Sequence, residues 1–175
     1  MAPTDVTAVL KRLGIIYVLI GGHAVVARGY VRSTLDVDYL TMDRRVLDRQ
    51  FWSDLIAAGA QVDTRAGDLD DPLGGVVHIQ LPDGRDVDVV VGKHRWEQFV
   101  IERAEVLEID GERVAVPLTS DLIVLKLAAG GYQDRADAHA LLSTGREGII
   151  RQVESHLDEL PPELREAWQR FLADS

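Results

Sequence analysis

Cysteine is absent from this chain of 175 residues, which excludes disulfide bonds and thiolate metal sites. Long apolar runs are absent as well, since no stretch approaches the roughly 20 residues that span a bilayer. The first residues also lack the basic region and the long apolar segment of a signal peptide. We therefore expect a cytoplasmic protein that does not associate with membranes.

Basic residues are few, with 19 Lys and Arg against 29 Asp and Glu, and the net charge is −10. This balance argues against a broad nucleic-acid surface, because phosphate binding normally uses a basic patch. An acidic protein can still bind a magnesium nucleotide locally, since the metal supplies positive charge. The length allows one domain with a full core, or a small α/β domain with a helical extension.

The segment 17–40 combines a predicted strand, a pair of glycines and a predicted short helix within a few residues. Residues 17–20 are apolar with a β-branched and aromatic bias, which predicts a buried strand. Gly21 and Gly22 follow, and paired glycines permit positive φ angles and close approach of a ligand to the backbone. A short helix is expected over 23–27, and the N–H groups at its start form a potential anion site.

Two aspartates lie on a strand predicted over 35–40. Because strand side chains alternate, Asp36 and Asp38 share one face, about 7 Å apart along the strand. Such carboxylates can converge on divalent cations, and hard oxygen ligands suit magnesium. The alternative is a solvated face of an edge strand. The glycines and the basic, hydroxyl-rich loop between them and the aspartates favour the metal site.

A second pair of aspartates lies in a predicted hairpin with strands over 76–81 and 86–91. Asp86 and Asp88 also share a face, because they too are two positions apart. The preceding segment 65–75 is acidic and rich in turn residues, which predicts a flexible loop near the mouth of the site.

Most of the remaining chain is expected to be helical. The expected helices cover 4–13 with Thr4 as the cap, the segment from Thr41 or Asp43 to Gly59, 93–103, the segment after Pro117, and much of 143–175. The expected additional strands cover 61–64, 105–109 and 113–116. Lys126 is a cation inside an otherwise apolar helix. It is either a snorkelling surface lysine or a phosphate-binding lysine that points into a cleft.

The glycine pair, a spacer of thirteen residues and Asp36-Val37-Asp38 resemble the nucleotidyltransferase superfamily, the DNA polymerase beta-like fold. The fuller string Gly-Gly-His-Ala…Arg-Ser-Thr-x-Asp-x-Asp resembles more narrowly the small bacterial nucleotidyltransferases related to abortive-infection toxins. Lys126-x-x-Ala…Asp134-x-x-Asp137 is similar to a helical motif of the same family, which usually has arginine where this chain has Gln133.

The resemblance implies an α+β fold with a short mixed β-sheet flanked by helices. Residues 1–116 would form the nucleotidyltransferase core, and 117–175 a helical C-terminal extension packed on it. It also implies transfer of a nucleoside monophosphate from a nucleoside triphosphate to an acceptor, with release of pyrophosphate. Two magnesium or manganese ions would be held by Asp36, Asp38 and a carboxylate on a later strand. Asp88 matches that third position better than Asp86, because it lies inside an apolar run.

The same resemblance implies a set of nucleotide-binding residues. They are Gly21, Gly22, His23, Arg32, Ser33, Thr34 and Lys126, with Asp134 and Asp137 as further candidates that either line the site or cap and brace helices. The acceptor is left open among tRNA, protein and small molecules, and a toxin role would imply an antitoxin partner.

Two other functions compete with this interpretation. One is a catalytically weak or inactive relative that acts as a nucleotide-binding or protein-interaction module, because His23 replaces a serine that many relatives place there. His23 itself could be a local cap or packing residue. The other is a phosphodiesterase-like metal hydrolase, which is disfavoured because the five histidines lack metal-ligand spacing.

Overall fold

The computed structural model describes residues 5–175, and within them the chain adopts an α+β fold. The strands are β1 (Val18–Ile20), β2 (Val37–Thr41), β3 (Gln61–Ala66), β4 (Gly75–Gln80), β5 (Asp86–Val91), β6 (Glu105–Ile109) and β7 (Glu112–Val116). The α-helices are α1 (Val6–Arg12), α2 (Gly21–Ala27), α3 (Ser53–Ala57), α4 (Arg95–Glu102), α5 (Thr119–Ala129), α6 (Tyr132–Ser143), α7 (Arg146–Ser155) and α8 (Pro162–Ala173). The predicted cap Thr4 lies outside the described residues.

The central sheet has the strand order β1-β2-β5-β4-β3. Strands β2 and β5 pair in parallel, whereas the other neighbouring strands pair antiparallel. The sheet is therefore mixed, as expected, and β4 and β5 form the predicted hairpin. Strands β6 and β7 form a separate two-stranded hairpin.

The two faces of the central sheet differ in chemistry. On β5, Val87, Val89 and Val91 point to one face, where they join a core with Trp52 and Ile79. Alternation places the aspartates of the same strand on the opposite face. One face of the sheet therefore supplies a hydrophobic core, and the other presents carboxylates.

Part of this second face is covered by helices. Leu40 at the end of β2 joins a second core with Val25 of α2, Leu122 of α5 and Trp168 of α8, each of them buried. The C-terminal helices thus share a core with the sheet. The domain boundary after Val116 stays a prediction.

The segment after β2 does not form the single helix that was expected. It forms two 3-10 turns, Arg44–Leu47 and Arg49–Trp52, followed by α3. The physical reason is that two aspartates cap successive turns: Asp43 accepts a hydrogen bond from the Arg45 N–H, and Asp48 accepts one from the Gln50 N–H. Each cap starts a new turn and interrupts a continuous helix.

Strand β2 is shorter than expected, because it begins at Val37 and leaves Asp36 in the preceding loop. Helix α2 is longer than expected, because it begins at Gly21 rather than at His23. None of the helices among residues 5–175 has the length and apolar character needed to cross a membrane.

Candidate functional site

Four polar side chains lie side by side across the open face of the central sheet. Asp38 of β2 pairs with Asp88 of β5, Asp88 with His78 of β4, and His78 with Asp63 of β3. Residues in register on neighbouring strands point to the same face. We refer to Asp38, Asp88, His78 and Asp63 as the polar row. The strand register alone therefore brings together Asp38 and Asp88, which are far apart in sequence.

Asp88 is held by a direct side-chain contact within the polar row. The Nδ1 atom of His78 donates a hydrogen bond to Oδ1 of Asp88 at 2.7 Å. Asp86 is farther from this imidazole, with Oδ1 3.8 Å from Nε2 of His78. The hydrogen bond to Asp88 raises the pKa of His78 above its ordinary value. Asp88, rather than Asp86, is thus the aspartate of β5 that lies between Asp38 and His78.

Asp38 lies between negative and positive groups. Burial, together with the neighbouring charges of Asp88 and Asp36, raises its pKa to about 6, although Lys126 and Arg32 oppose the shift. Carboxylates that crowd together in this way disfavour one another's ionised form. The same arrangement makes the position of Asp38 favourable for a cation.

Of the three predicted metal ligands, Asp36 is the one that lies outside the polar row. It is exposed in the loop before β2, where its backbone oxygen lies 3.5 Å from the Thr34 hydroxyl that donates to it. Across residues 5–175, no three carboxylate or imidazole groups are gathered into a ready-made metal cluster. The structure therefore brings Asp38 and Asp88 together but leaves Asp36 beside them.

The glycine pair packs directly against this region. Gly21 has a φ of +65°, which glycine adopts readily, and a Cβ atom there would collide with the Asp38 carboxylate. A Cβ atom at Gly22 would collide with the side chains of Thr34 and Arg32. Both glycines therefore allow backbone and side chains to approach closely, and they form a cradle next to Asp38.

The other loop residues predicted to bind nucleotide lie around this cradle. Arg32 is partly buried and reaches Asp137, with Nη2 3.2 Å from Oδ2. Ser33 is exposed, and the Arg32 side chain binds its backbone oxygen at 3.0 Å. His23 is partly exposed within α2, next to Gly22. A nucleotide-binding role for each of these residues stays a prediction.

Lys126 is not a snorkelling surface lysine, because only 8% of it is exposed. Its ammonium group lies 2.8 Å from Oδ1 of Asp134 and 3.0 Å from Oδ2 of Asp137. Arg32 contacts the same Asp137 with its Nε atom at 3.1 Å. We refer to Arg32, Lys126, Asp134 and Asp137 as the site network, since both of its cations act on Asp38.

The two aspartates of the site network have different surroundings. Asp137 is fully buried, and burial alone raises its pKa. Hydrogen bonds from Gln133 and Lys126, together with the charges of Lys126 and Arg32, nevertheless lower that pKa below its ordinary value. Asp134 also accepts a hydrogen bond from the Gly131 N–H at 3.2 Å at the start of α6. Both aspartates therefore hold cations in place, and Asp134 caps a helix as well.

The sequence interpretation missed two members of the polar row, Asp63 and His78, and it missed His78 because the histidines were judged only by metal-ligand spacing. The signal was present in the predicted hairpin. Once its strands and turn are assigned, the antiparallel register places His78 directly opposite Asp88. A cross-strand pair of this kind is visible only when two strands are compared with each other.

Comparison with known proteins identifies the fold. No protein-family model and no curated protein matches the sequence. Among solved structures, the antibiotic-resistance factor ANT(2'')-Ia shares 16% identity at a TM-score of 0.55, covering 96% of this chain and 89% of its own. The lincosamide antibiotic adenylyltransferase LnuA shares 12% identity at a TM-score of 0.54, covering 79% and 92%.

A third structure is an antigenic nucleotidyltransferase-like protein from Paracoccidioides brasiliensis. It shares 17% identity at a TM-score of 0.51, and the match covers 95% of this chain and 89% of that protein. These similarities extend over most of each chain. The protein therefore has the nucleotidyltransferase fold, as its glycine pair and aspartates suggested.

Proposed function

We propose that this protein is a nucleotidyltransferase, which transfers a nucleoside monophosphate from a nucleoside triphosphate to a hydroxyl group of an acceptor. The observation that carries the proposal is the register of β2 and β5, which sets Asp38 beside Asp88 on the open face of a nucleotidyltransferase fold. Gly21 adjoins this pair, because its missing side chain allows the Asp38 carboxylate to lie directly against its backbone.

The residues present fit divalent cations, because carboxylate oxygens are the ligands that magnesium and manganese prefer. Burial and, after it, the charge of Asp88 raise the pKa of Asp38, and a bound cation would offset that neighbouring negative charge. Two such ions, held by Asp38, Asp88 and the adjoining Asp36, would neutralise phosphate charge and lower the pKa of the acceptor hydroxyl.

The residues of the chain would divide the remaining tasks. The backbone at Gly21 and Gly22 binds the triphosphate, and Lys126 and Arg32 supply positive charge beside it. The acceptor oxygen forms a bond to the α-phosphorus while the bond to the bridging oxygen of pyrophosphate breaks. Pyrophosphate leaves with that electron pair, and the hydroxyl proton passes to the carboxylate of Asp88. Positioning and electrostatics therefore account for most of the proposed rate enhancement.

ATP is the first donor to test, because LnuA is described as an adenylyltransferase and ANT(2'')-Ia was solved with adenylyl-2''-tobramycin. The acceptor, a cytoplasmic location and an antitoxin partner are further parts of the proposal. The last of these rests on the resemblance of the Gly-Gly-His-Ala string to toxin-related enzymes, and co-purification of a partner would test it.

The decisive experiment measures label transfer. The purified protein is incubated with magnesium and each of the four α-labelled nucleoside triphosphates, in the presence of total tRNA, cell lysate or the protein alone. We expect labelled product from at least one mixture. Replacing Asp38 or Asp88 by Asn should lower the rate about 10³-fold, the scale for loss of one electrostatic contact to the transition state.

The matched control is Asp83→Asn, because Asp83 is exposed in the turn that joins β4 and β5 and its contacts are to Arg85. This variant should transfer label at the wild-type rate. Circular dichroism and urea unfolding check that each variant is folded. Undiminished transfer by a folded Asp38→Asn protein would refute the assignment.

One observation favours the competing function, a nucleotide-binding module without catalysis. Both cations of the site network are already neutralised by Asp134 and Asp137, so their hold on a triphosphate is weakened. The same experiment separates the two functions when nucleotide binding is measured by calorimetry. Magnesium-dependent ATP binding without label transfer to any acceptor would favour the module.

A further inference from the structure

A cavity of about 360 Å³ lies beside the polar row, where the open face of β3 and β4 meets the loop 67–74. Its floor contains Asp63 and His78, which belong to the polar row, and its wall contains Asp71 and Leu73 from the loop. Cavities of this size typically hold small-molecule ligands. Since His78 contacts Asp88 directly, the cavity opens next to the proposed catalytic carboxylate.

The loop above the cavity is held by hydrogen bonds from Lys93 and by hydrogen bonds within the loop. The ammonium group of Lys93 donates hydrogen bonds to the backbone oxygens of Asp68, Leu69 and Asp71 at 2.7–2.9 Å. The side chain of Asp68 accepts hydrogen bonds from two backbone N–H groups of the same loop. Lys93, which is partly buried, thus binds three carbonyl groups of this loop, and the expected flexibility of the loop stays a prediction.

The direction of the proposed reaction favours this cavity for the acceptor. In an in-line displacement the attacking and leaving oxygens lie on opposite sides of the phosphorus. The proposed triphosphate site, at Gly21 and Gly22, lies on the β1 side of Asp38 and Asp88. The attacking hydroxyl must then arrive from the opposite side, which is the side of His78 and the cavity.

The charges around the cavity restrict the kind of acceptor. Asp63 and Asp71 line it, and Asp68 and Asp70 lie on the exposed part of its loop. Arg65, in the same lining, is 3.6 Å from Asp71, so these two charges offset each other and Asp63 supplies the remaining carboxylate charge of the lining. With a net charge of −10 over the whole chain, this mouth repels polyanions and attracts cations.

We propose that this cavity is the acceptor site and that the acceptor is a small, positively charged molecule with hydroxyl groups. The inference rests on the proposed nucleotidyltransferase function. Asp63 binds the cationic group of the acceptor, Leu73 packs against its carbon skeleton, and the reacting hydroxyl lies toward Asp88. The proposal excludes tRNA as the main acceptor.

The test compares an amino sugar, the corresponding neutral sugar and total tRNA as acceptors for label from ATP. We expect the amino sugar to be the best acceptor. Asp63→Lys should raise its KM about tenfold while the KM for ATP stays unchanged. Glu108→Lys is the matched control, because Glu108 is exposed on β6, in the other sheet, and should leave both constants unchanged.

A binding measurement keeps this test independent of catalysis. In the absence of ATP, the amino sugar should shift the amide NMR signals of residues 63, 78, 67–71, 73 and 74, and Asp63→Lys should abolish those shifts. Label transfer to tRNA in preference to the amino sugar, or an unchanged KM in Asp63→Lys, would overturn the inference and leave the proposed function intact. No label transfer to any acceptor would instead contradict the proposed function itself, and shifts elsewhere on the protein would overturn the site.

Discussion

Two charge networks use the same chemistry at different places in the molecule. In the site network, Lys126 and Arg32 are bound by Asp134 and Asp137. In the second, which we call the remote network, Arg103 donates to Asp121 at 2.8 Å and to Glu159 at 2.6 Å. Each network ties a cation to two carboxylates, which lie on one helix in the site network and in two separate segments in the remote network.

The networks differ in what lies next to them. The cations of the site network lower the pKa of Asp38 and so oppose the effect of its burial. The remote network joins the end of α4 to the first turn of α5 and to the 3-10 turn Leu157–Glu159, away from the polar row. The comparison predicts that the site network, whose charges reach Asp38, affects activity, whereas the remote network fastens elements together.

The largest expected effect is on activity. Lys126→Met removes positive charge next to Asp38 and the proposed phosphate site, so kcat/KM should fall about 10²–10³-fold. The measurement is label transfer from ATP, expressed per folded protein. Arg103→Met serves as the counterpart in the remote network and should keep kcat/KM near the wild-type value. Equal losses in the two variants would remove the distinction between the networks.

The next effect is on stability. Arg103→Met leaves Asp121, which is buried, without its counter-ion, and the free energy of unfolding should fall by about 3 kcal/mol. Urea denaturation followed by circular dichroism measures the change. The double variant Arg103→Met/Asp121→Leu should recover part of the loss, because it removes the uncompensated charge. If the double variant were less stable than either single one, buried charge would not be the cause.

A smaller effect should depend on pH. The pKa of Asp137 lies below the ordinary value of 3.8, so its carboxylate stabilises the folded state fully above that value. The stabilisation is lost as the pH falls below 3.8 and through the lowered pKa. Asp137→Asn should therefore cost about 1–3 kcal/mol at neutral pH, and the difference should narrow below 3.8. Urea unfolding over this range measures it; a difference that widens at low pH would contradict the ion-pair explanation.

The smallest effect concerns the cradle beside the site network. Gly22→Ala places a methyl group against Arg32 and Thr34, which must move, and the unfolding free energy should fall by about 1 kcal/mol. The KM for ATP should rise with it. Gly148→Ala is the control, because nothing lies within 4 Å of a Cβ atom there and alanine favours a helix, so this variant should be slightly more stable. Thermal unfolding of both proteins checks the contrast.

The sequence allowed the central part of this arrangement to be predicted. Alternation along 86–91 and the apolar character of the strand predicted a hairpin with aspartates on one face, and the structure contains both. The strand that carries Asp38 was also found. Asp36 was misplaced because β1 ends at Ile20, opposite Asp38, so β2 has no partner on that side for an earlier residue.

The contacts of Lys126 could not be derived in the same way. Its partners lie on α6, and they reach it only because the chain reverses after Gly130, which has a φ of +70°. Arg32 joins them from a loop that lies 105 residues before Asp137. Such meetings depend on how helices pack, and local periodicity carries no information about them.

The parallel pairing of β2 and β5 also determines when the site comes into existence during folding. The hairpin of β4 and β5 closes a short loop, whereas Asp38 and Asp88 meet only after a long intervening segment has been closed. Closure of long loops costs more chain entropy, and such pairings form slowly. A partly folded or newly synthesised chain therefore contains all the aspartates but no assembled centre, and activity reports on completed folding.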